Sequence, residues 1–116
     1  MVALVLGDQL FEGLPGVPPQ SPVWMSEDRF LATRVRHHKQ KITLFFSAMR
    51  HFAEEIGDRC FYTRYEELQD RSPSLFERFG QWCRDSGITK VYAYDPADAF
   101  ARNAIQSAVS VEIRWL

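Results

Sequence analysis

A chain of 116 residues, 46% hydrophobic and 14% aromatic, is long enough to bury a core as one domain and too apolar to stay disordered. Fourteen Lys and Arg against fifteen Asp and Glu leave a net charge of −1, which excludes a global attraction to nucleic acid or anionic membrane; any such contact has to be local. Met1 to Leu6 is too short for a signal peptide and lacks its positive leader, no run approaches a membrane span, and Cys60 and Cys83 form neither a CxxC nor a metal-ligand spacing. The expectation is a cytoplasmic chain with no membrane partner and two reduced, buried thiols.

Val2 to Leu6 is a continuous aliphatic run, the pattern of a central strand buried on both faces of a parallel sheet. Gly7-Asp8-Gln9 follows directly, at the strand end where ligands sit in open α/β sheets. Gly7 would let a ligand or backbone come close, and Asp8 would offer an acceptor. The same residues read equally as an ordinary turn, because a lone Gly-Asp is far weaker than a full dinucleotide fingerprint. Residues 11–22 hold Gly13, Pro15, Gly16, Pro18, Pro19 and Pro22, which exclude regular structure and mark a surface crossover. Val23 to Met25 is then a short second strand, and Ser26-Glu27-Asp28 is expected to open a helical segment with Ser26 as N-cap and Phe30, Leu31 and Val35 inward.

His37 to Gly57 keeps one periodicity longer than any other segment. Ile42, Phe45, Phe46, Met49, Phe52, Ala53 and Ile56 make one apolar stripe; Gln40, Thr43, Ser47, His51 and Glu54 take the opposite face, with Leu44 an isolated apolar residue among them. Gly57 can end the helix in the left-handed conformation. His37, His38, Lys39 and Lys41 crowd the N-terminus and Glu54, Glu55 and Asp58 the C-terminus, the reverse of what the helix dipole prefers. A straight helix from Ser26 would run roughly 45 Å at 1.5 Å per residue, too long for so small a domain to cover. A break near Arg36 to His38 is therefore expected, leaving basic side chains beside free backbone amides that attract anions.

Cys60 to Tyr65 reads as a third strand. Ser74 followed by Glu77 makes a capping box for a helix carrying Leu75, Phe76, Phe79, Trp82 and Cys83, ended by Gly87. Val91 to Tyr94 is a fourth strand; Asp95 is expected to cap a helix with Pro96 in its first turn and Phe100, Ala101, Ala104, Ile105 and Ala108 as its stripe. Val109, Val111, Ile113 and Trp115 alternate with Ser110, Glu112 and Arg114, as on an edge strand with one solvated face.

Strands alternating with helices imply an α/β fold: a five-stranded parallel doubly wound (Rossmann-like) sheet, order 3-2-1-4-5, with helices on both faces. Helices in such a sheet run antiparallel to the strands, so the start of the long helix, with His38, Lys39 and Lys41, joins Gly7 and Asp8 at one edge. Residues 1–116 read as a single domain, and the stop just after an edge strand as an N-terminal domain with a continuation. An apolar docking face would then be exposed, on which the isolated chain can pair with a second copy.

Leu6-Gly7-Asp8-Gln9-Leu10, together with His37-His38-Lys39-x-Lys41-Ile42 and Phe46-Ser47-Ala48-Met49-Arg50-His51-Phe52-Ala53-Glu54-Glu55, resembles the N-terminal domain of the bacterial cryptochrome and photolyase-related proteins. That group contains the iron-sulfur bacterial (6-4) photolyases. The resemblance runs through the last strand and implies the same strand order. It implies a light-driven flavoprotein acting on damaged DNA, in which an α/β domain binds the antenna chromophore 6,7-dimethyl-8-ribityllumazine against a helical domain holding FAD and a 4Fe-4S cluster. By that resemblance the loop of Gly7, Asp8 and Gln9, the region around Glu27 and Leu31, and the helix near Phe45 line the antenna pocket. Cluster cysteines, flavin ligands and electron-transfer tryptophans belong to the absent helical domain, so Trp24, Trp82 and Trp115 take none of those roles. The domain itself would be non-catalytic, because light harvesting needs binding and orientation only. The alternative reading is a stand-alone nucleotide-binding, signalling or interaction module, supported by the anion-friendly helix end and weakened by the absence of a phosphate-binding glycine loop. A hydrolase has least support: nothing arranges Ser47, His51 and Asp58 as a triad.

Overall fold

In a computed structural model, residues 1–28, 39–68 and 73–116 are described, residues 39–42 by their backbone alone. The strands are β1 (Val2–Leu4), β2 (Val23–Ser26), β3 (Cys60–Thr63), β4 (Lys90–Ala93) and β5 (Glu112–Trp115). The helices are α1 (Lys39–Ile56), α2 (Leu75–Asp85) and α3 (Ala99–Ala108). The sheet is parallel throughout in the order β3-β2-β1-β4-β5, with Ala3 opposite Val23 on one side and Tyr92 on the other.

Successive side chains of a strand point to opposite faces, and here both faces are covered, which is why β1 reads as an unbroken apolar run. Val2, Leu4 and Leu6 join Trp24, Val91 and Ala93 against Phe76 and Phe79 of α2 and Ala101 and Ile105 of α3. Ala3 and Val5 join Val23 and Met25 against Met49 and Ala53 of α1 and Leu14 of the proline-rich crossover. The sheet is thus doubly wound, and among the described residues the long helix covers one face and two shorter helices the other. On the edge strand β5, Ile113 and Trp115 are half-buried while Glu112 and Arg114 are exposed, the expected alternation.

Local signals set most boundaries. Gly57 ends α1 with φ +84°, and Ser74 Oγ accepts from the Glu77 amide at 3.2 Å to cap α2. Gly80 lets α2 and α3 cross closely: a Cβ there would lie 2.3 Å from the Ala108 carbonyl oxygen. Among the described residues no helix is long and apolar enough to cross a membrane.

Four local expectations fail for reasons of tertiary pairing. Ser26 is no N-cap, because its pairing with Thr63 keeps it extended as the last residue of β2, and Glu27 and Asp28 follow without helical structure. The rest of that expected helix, and the break near Arg36 to His38, lie outside the described residues. β3 ends at Thr63, and Tyr65 instead begins a 3-10 turn, Tyr65–Glu67. Asp98, not Asp95, caps α3, its Oδ1 accepting from the Phe100 amide at 2.9 Å. The Asp95 amide is drawn to the Leu116 carbonyl and its carboxylate to Arg102 at 2.5 Å. With the helix starting at Ala99, Phe100 falls in the first turn on the flank of the stripe and is 56% exposed.

Candidate functional site

The carboxyl ends of β1, β2 and β3 bring the sequence-selected residues to one edge, beside the first half of α1. Gly7 is filled by that helix. A Cβ would lie 2.7 Å from Phe45 Cε1 and 2.9 Å from Met49 Sδ, so the close approach Gly7 permits is to the helix. Phe45 is half-buried over it. Asp8 is exposed, and no hydrogen bond or ion pair from the described residues engages its carboxylate. Gln9 is buried, accepting from the Leu6 amide at 3.2 Å and donating to the Tyr94 carbonyl at 3.1 Å; it ties the end of β1 to the end of β4. Leu31 and His38 lie outside the described residues, and of Lys41 only the backbone, in the first turn of α1, is described.

Glu27, directly after β2, is fully buried. Burying a carboxylate is costly unless it is paired, and this one has four donors. Arg50 of α1 grips it through Nε at 2.7 Å and Nη2 at 2.8 Å, Tyr62 of β3 donates its hydroxyl at 2.5 Å, and the Tyr65 amide donates at 2.9 Å. Burial pushes the Glu27 carboxyl up, but these hydrogen bonds and the Arg50 charge outweigh it and hold the group below its ordinary range. Burial, and then the Glu27 carboxylate, push the Tyr62 phenol far up, so it stays a donor. Arg50 Nη2 continues to Glu66 at 2.9 Å, a chain of charge from buried Glu27 to an exposed turn.

The opposite face is anchored as well. Arg78 of α2 donates to Ser26 Oγ at 2.7 Å and to the Glu27 carbonyl at 3.4 Å, and approaches Asp28 to 3.8 Å. Asp28 in turn accepts from the Leu75 amide at the start of α2, at 3.2 Å. Ser26, Glu27 and Asp28 are thus held by Arg50 from one layer, through Glu27, and by Arg78 from the other.

What remains open at this edge is aromatic. Phe45 and Phe46 lie 6.3 Å apart between ring centroids, and Phe46 stacks on Tyr65 at 5.8 Å with 29° between planes. The row runs from Gly7 at the centre of the sheet to the turn after β3. Among the described residues no buried polar side-chain atom lacks a partner, and no group of His, Cys, Asp and Glu could hold a metal. His51 is exposed and pairs with Glu55 at 3.2 Å. Cys60 and Cys83 are free, and burial pushes both thiols up to about 11, so they are uncharged at neutral pH. The described side chains at this edge offer aromatic surface and present no acid–base or nucleophilic pair.

The profile of the family described as deoxyribodipyrimidine photo-lyase-related protein matches residues 3–116. The chain belongs to that family. A (6-4) photolyase of Agrobacterium fabrum is 42% identical to it over 73 residues, 60% of this chain and 14% of the relative. The photolyase-related chain thus spans a small part of that relative's length.

Sequence reasoning about the photolyase-related chain singled out Glu27 but missed Arg50, Tyr62, Glu66 and Arg78, which define what Glu27 does. Arg50 carries a readable signal: it follows buried Met49 at the border of the apolar stripe, where a cation must either lie along the surface or find a buried anion. Nothing local in the sequence marks Arg78 or Glu66.

Proposed function

We propose that this photolyase-related chain is the antenna-chromophore domain of a light-dependent flavoprotein, and that it holds 6,7-dimethyl-8-ribityllumazine at the carboxyl edge of the sheet. The observation that carries this reading is the row of Phe45, Phe46 and Tyr65 packed from Gly7 outward, with Asp8 next in the chain, exposed and engaged by no described residue. A heteroaromatic imide needs an acceptor for its N–H and apolar cover for its ring, and these residues offer both. Bound there, the chromophore would supply absorption of light; the chain would supply orientation and exclusion of water. Gln9 and Glu27 shape the site from beneath, Glu27 through four donors within the protein and Gln9 through its bonds to Leu6 and Tyr94. Leu31, His38 and Lys41 enter this reading from the sequence alone, since Leu31, His38 and the Lys41 side chain lie outside what is described. FAD, a 4Fe-4S cluster and the contact with damaged DNA belong, in this reading, to a helical domain of the full-length protein, and the domain alone repairs nothing. The nucleotide-module alternative loses support because helix α1 fills the space over Gly7 where a phosphate would approach.

Titration of the lumazine, and of FMN as a control, into the full-length protein and its Asp8→Ala variant tests the reading. An unpaired ligand donor costs about 1–3 kcal/mol, so Asp8→Ala should bind roughly five- to a hundred-fold more weakly. Equal affinities would remove Asp8 from the site; no lumazine binding by the wild type would end the antenna assignment.

A further inference from the structure

We propose that Tyr65 is the outer wall of the chromophore site, and that the Glu27–Arg50–Glu66 chain positions it there; this rests on the antenna reading above. Residues 65–67 form an exposed turn of the kind usually left to find its own conformation, yet this turn is held at three points. The Tyr65 amide donates to buried Glu27 at 2.9 Å, the Glu66 carboxylate takes Arg50 Nη2 at 2.9 and 3.1 Å, and the Tyr65 ring stacks on Phe46. Despite these restraints the ring stays 36% exposed, and no hydrogen bond from the described residues engages its hydroxyl. Replacing a buried ion pair with well-packed apolar side chains is often neutral or stabilising, so stability alone is a weak reason for burying Glu27 against Arg50. Fixed geometry is a stronger one. The chain ties β2, α1 and the turn after β3 into one unit, which holds Tyr65 against Phe46 at the outer end of the aromatic row. A ring held this way keeps its exposed part in one place for a ligand to pack on, and in this proposal Glu27 and Arg50 act on the ligand through Tyr65.

The test measures lumazine affinity and the absorption band of bound lumazine in the full-length protein for the wild type, Tyr65→Ala, Tyr65→Phe and Glu66→Gln. Stacking of a heteroaromatic ring on an aromatic side chain is worth enough that Tyr65→Ala should weaken binding about ten-fold. The same variant should move the band, whereas Tyr65→Phe restores both properties. Glu66→Gln, which keeps the ring but loosens its turn, should broaden the band and weaken binding about two- to three-fold by the scale of an exposed ion pair. Wild-type affinity and an unmoved band in Tyr65→Ala would overturn the proposal while leaving the antenna reading intact. Absence of lumazine binding in the wild type would overturn both.

Discussion

A carboxylate without exposed surface keeps its charge only while its donors stay in place, and Glu27 takes two of its four from Arg50. Arg50→Ala leaves that charge buried and half-satisfied; the expected loss is about 3 kcal/mol of unfolding free energy at pH 7, read from urea melts, with Arg50→Lys losing less. The acid response follows from the same contacts. Because folding holds the Glu27 carboxyl below its ordinary 4.5, its contribution is complete above that value and drains away as pH falls through the folded pKa. Wild type should therefore lose stability more steeply than Glu27→Gln as pH falls below 4.5; parallel slopes would show that another group governs the acid limb. At this scale the sequence was half legible. Gly7 and Asp8 could be selected from their place after a buried strand, and Glu27 from its place after the next. Their roles could not be read, because a glycine's freedom serves a helix as well as a ligand, and a buried glutamate's meaning lies with an arginine from another element.

Between the helices and the sheet, caps discriminate the local from the tertiary. Asp95 and Asp98 both precede the periodic run of α3, and Pro96 favours the first as cap. The bond from the Asp95 amide to the Leu116 carbonyl decides for the second by holding Asp95 at the end of β4. Asp98→Ala should accordingly lower stability by about 1 kcal/mol, while Asp95→Ala removes only a partly exposed pair with Arg102 and should cost at most about 0.5 kcal/mol. Thermal melts of the two variants check the assignment, and the reverse ranking would contradict it. Ser26 failed for a similar reason: a good capping residue was claimed by a strand partner. The α1 boundaries were legible because periodicity and Gly57 agree; the closeness of α2 and α3 at Gly80 was not, since it depends on Ala108, a residue from a different helix.

For the whole molecule, the all-parallel sheet was readable from the alternation of strands and helices, and the order from the few arrangements right-handed crossovers allow together with the family resemblance. Exposed apolar side chains are scattered over it: Leu44 on α1 at 69%, with Phe61 on β3 and Phe100 on α3. The order β3-β2-β1-β4-β5 has a consequence for synthesis. The first strand made is the central one, and its second neighbour, β4, is made late: Ala3 must wait for Tyr92. Until then a growing chain carries its most apolar strand with one ladder edge open, the kind of edge that pairs with other chains. A fragment ending at Ile88 should therefore scatter light and sediment on release from the ribosome, whereas residues 1–116 should not; a monomeric, cooperatively melting fragment would show that β1 tolerates the wait. A chaperone that shields nascent chains would find its substrate here in the interval between the emergence of β3 and that of β4.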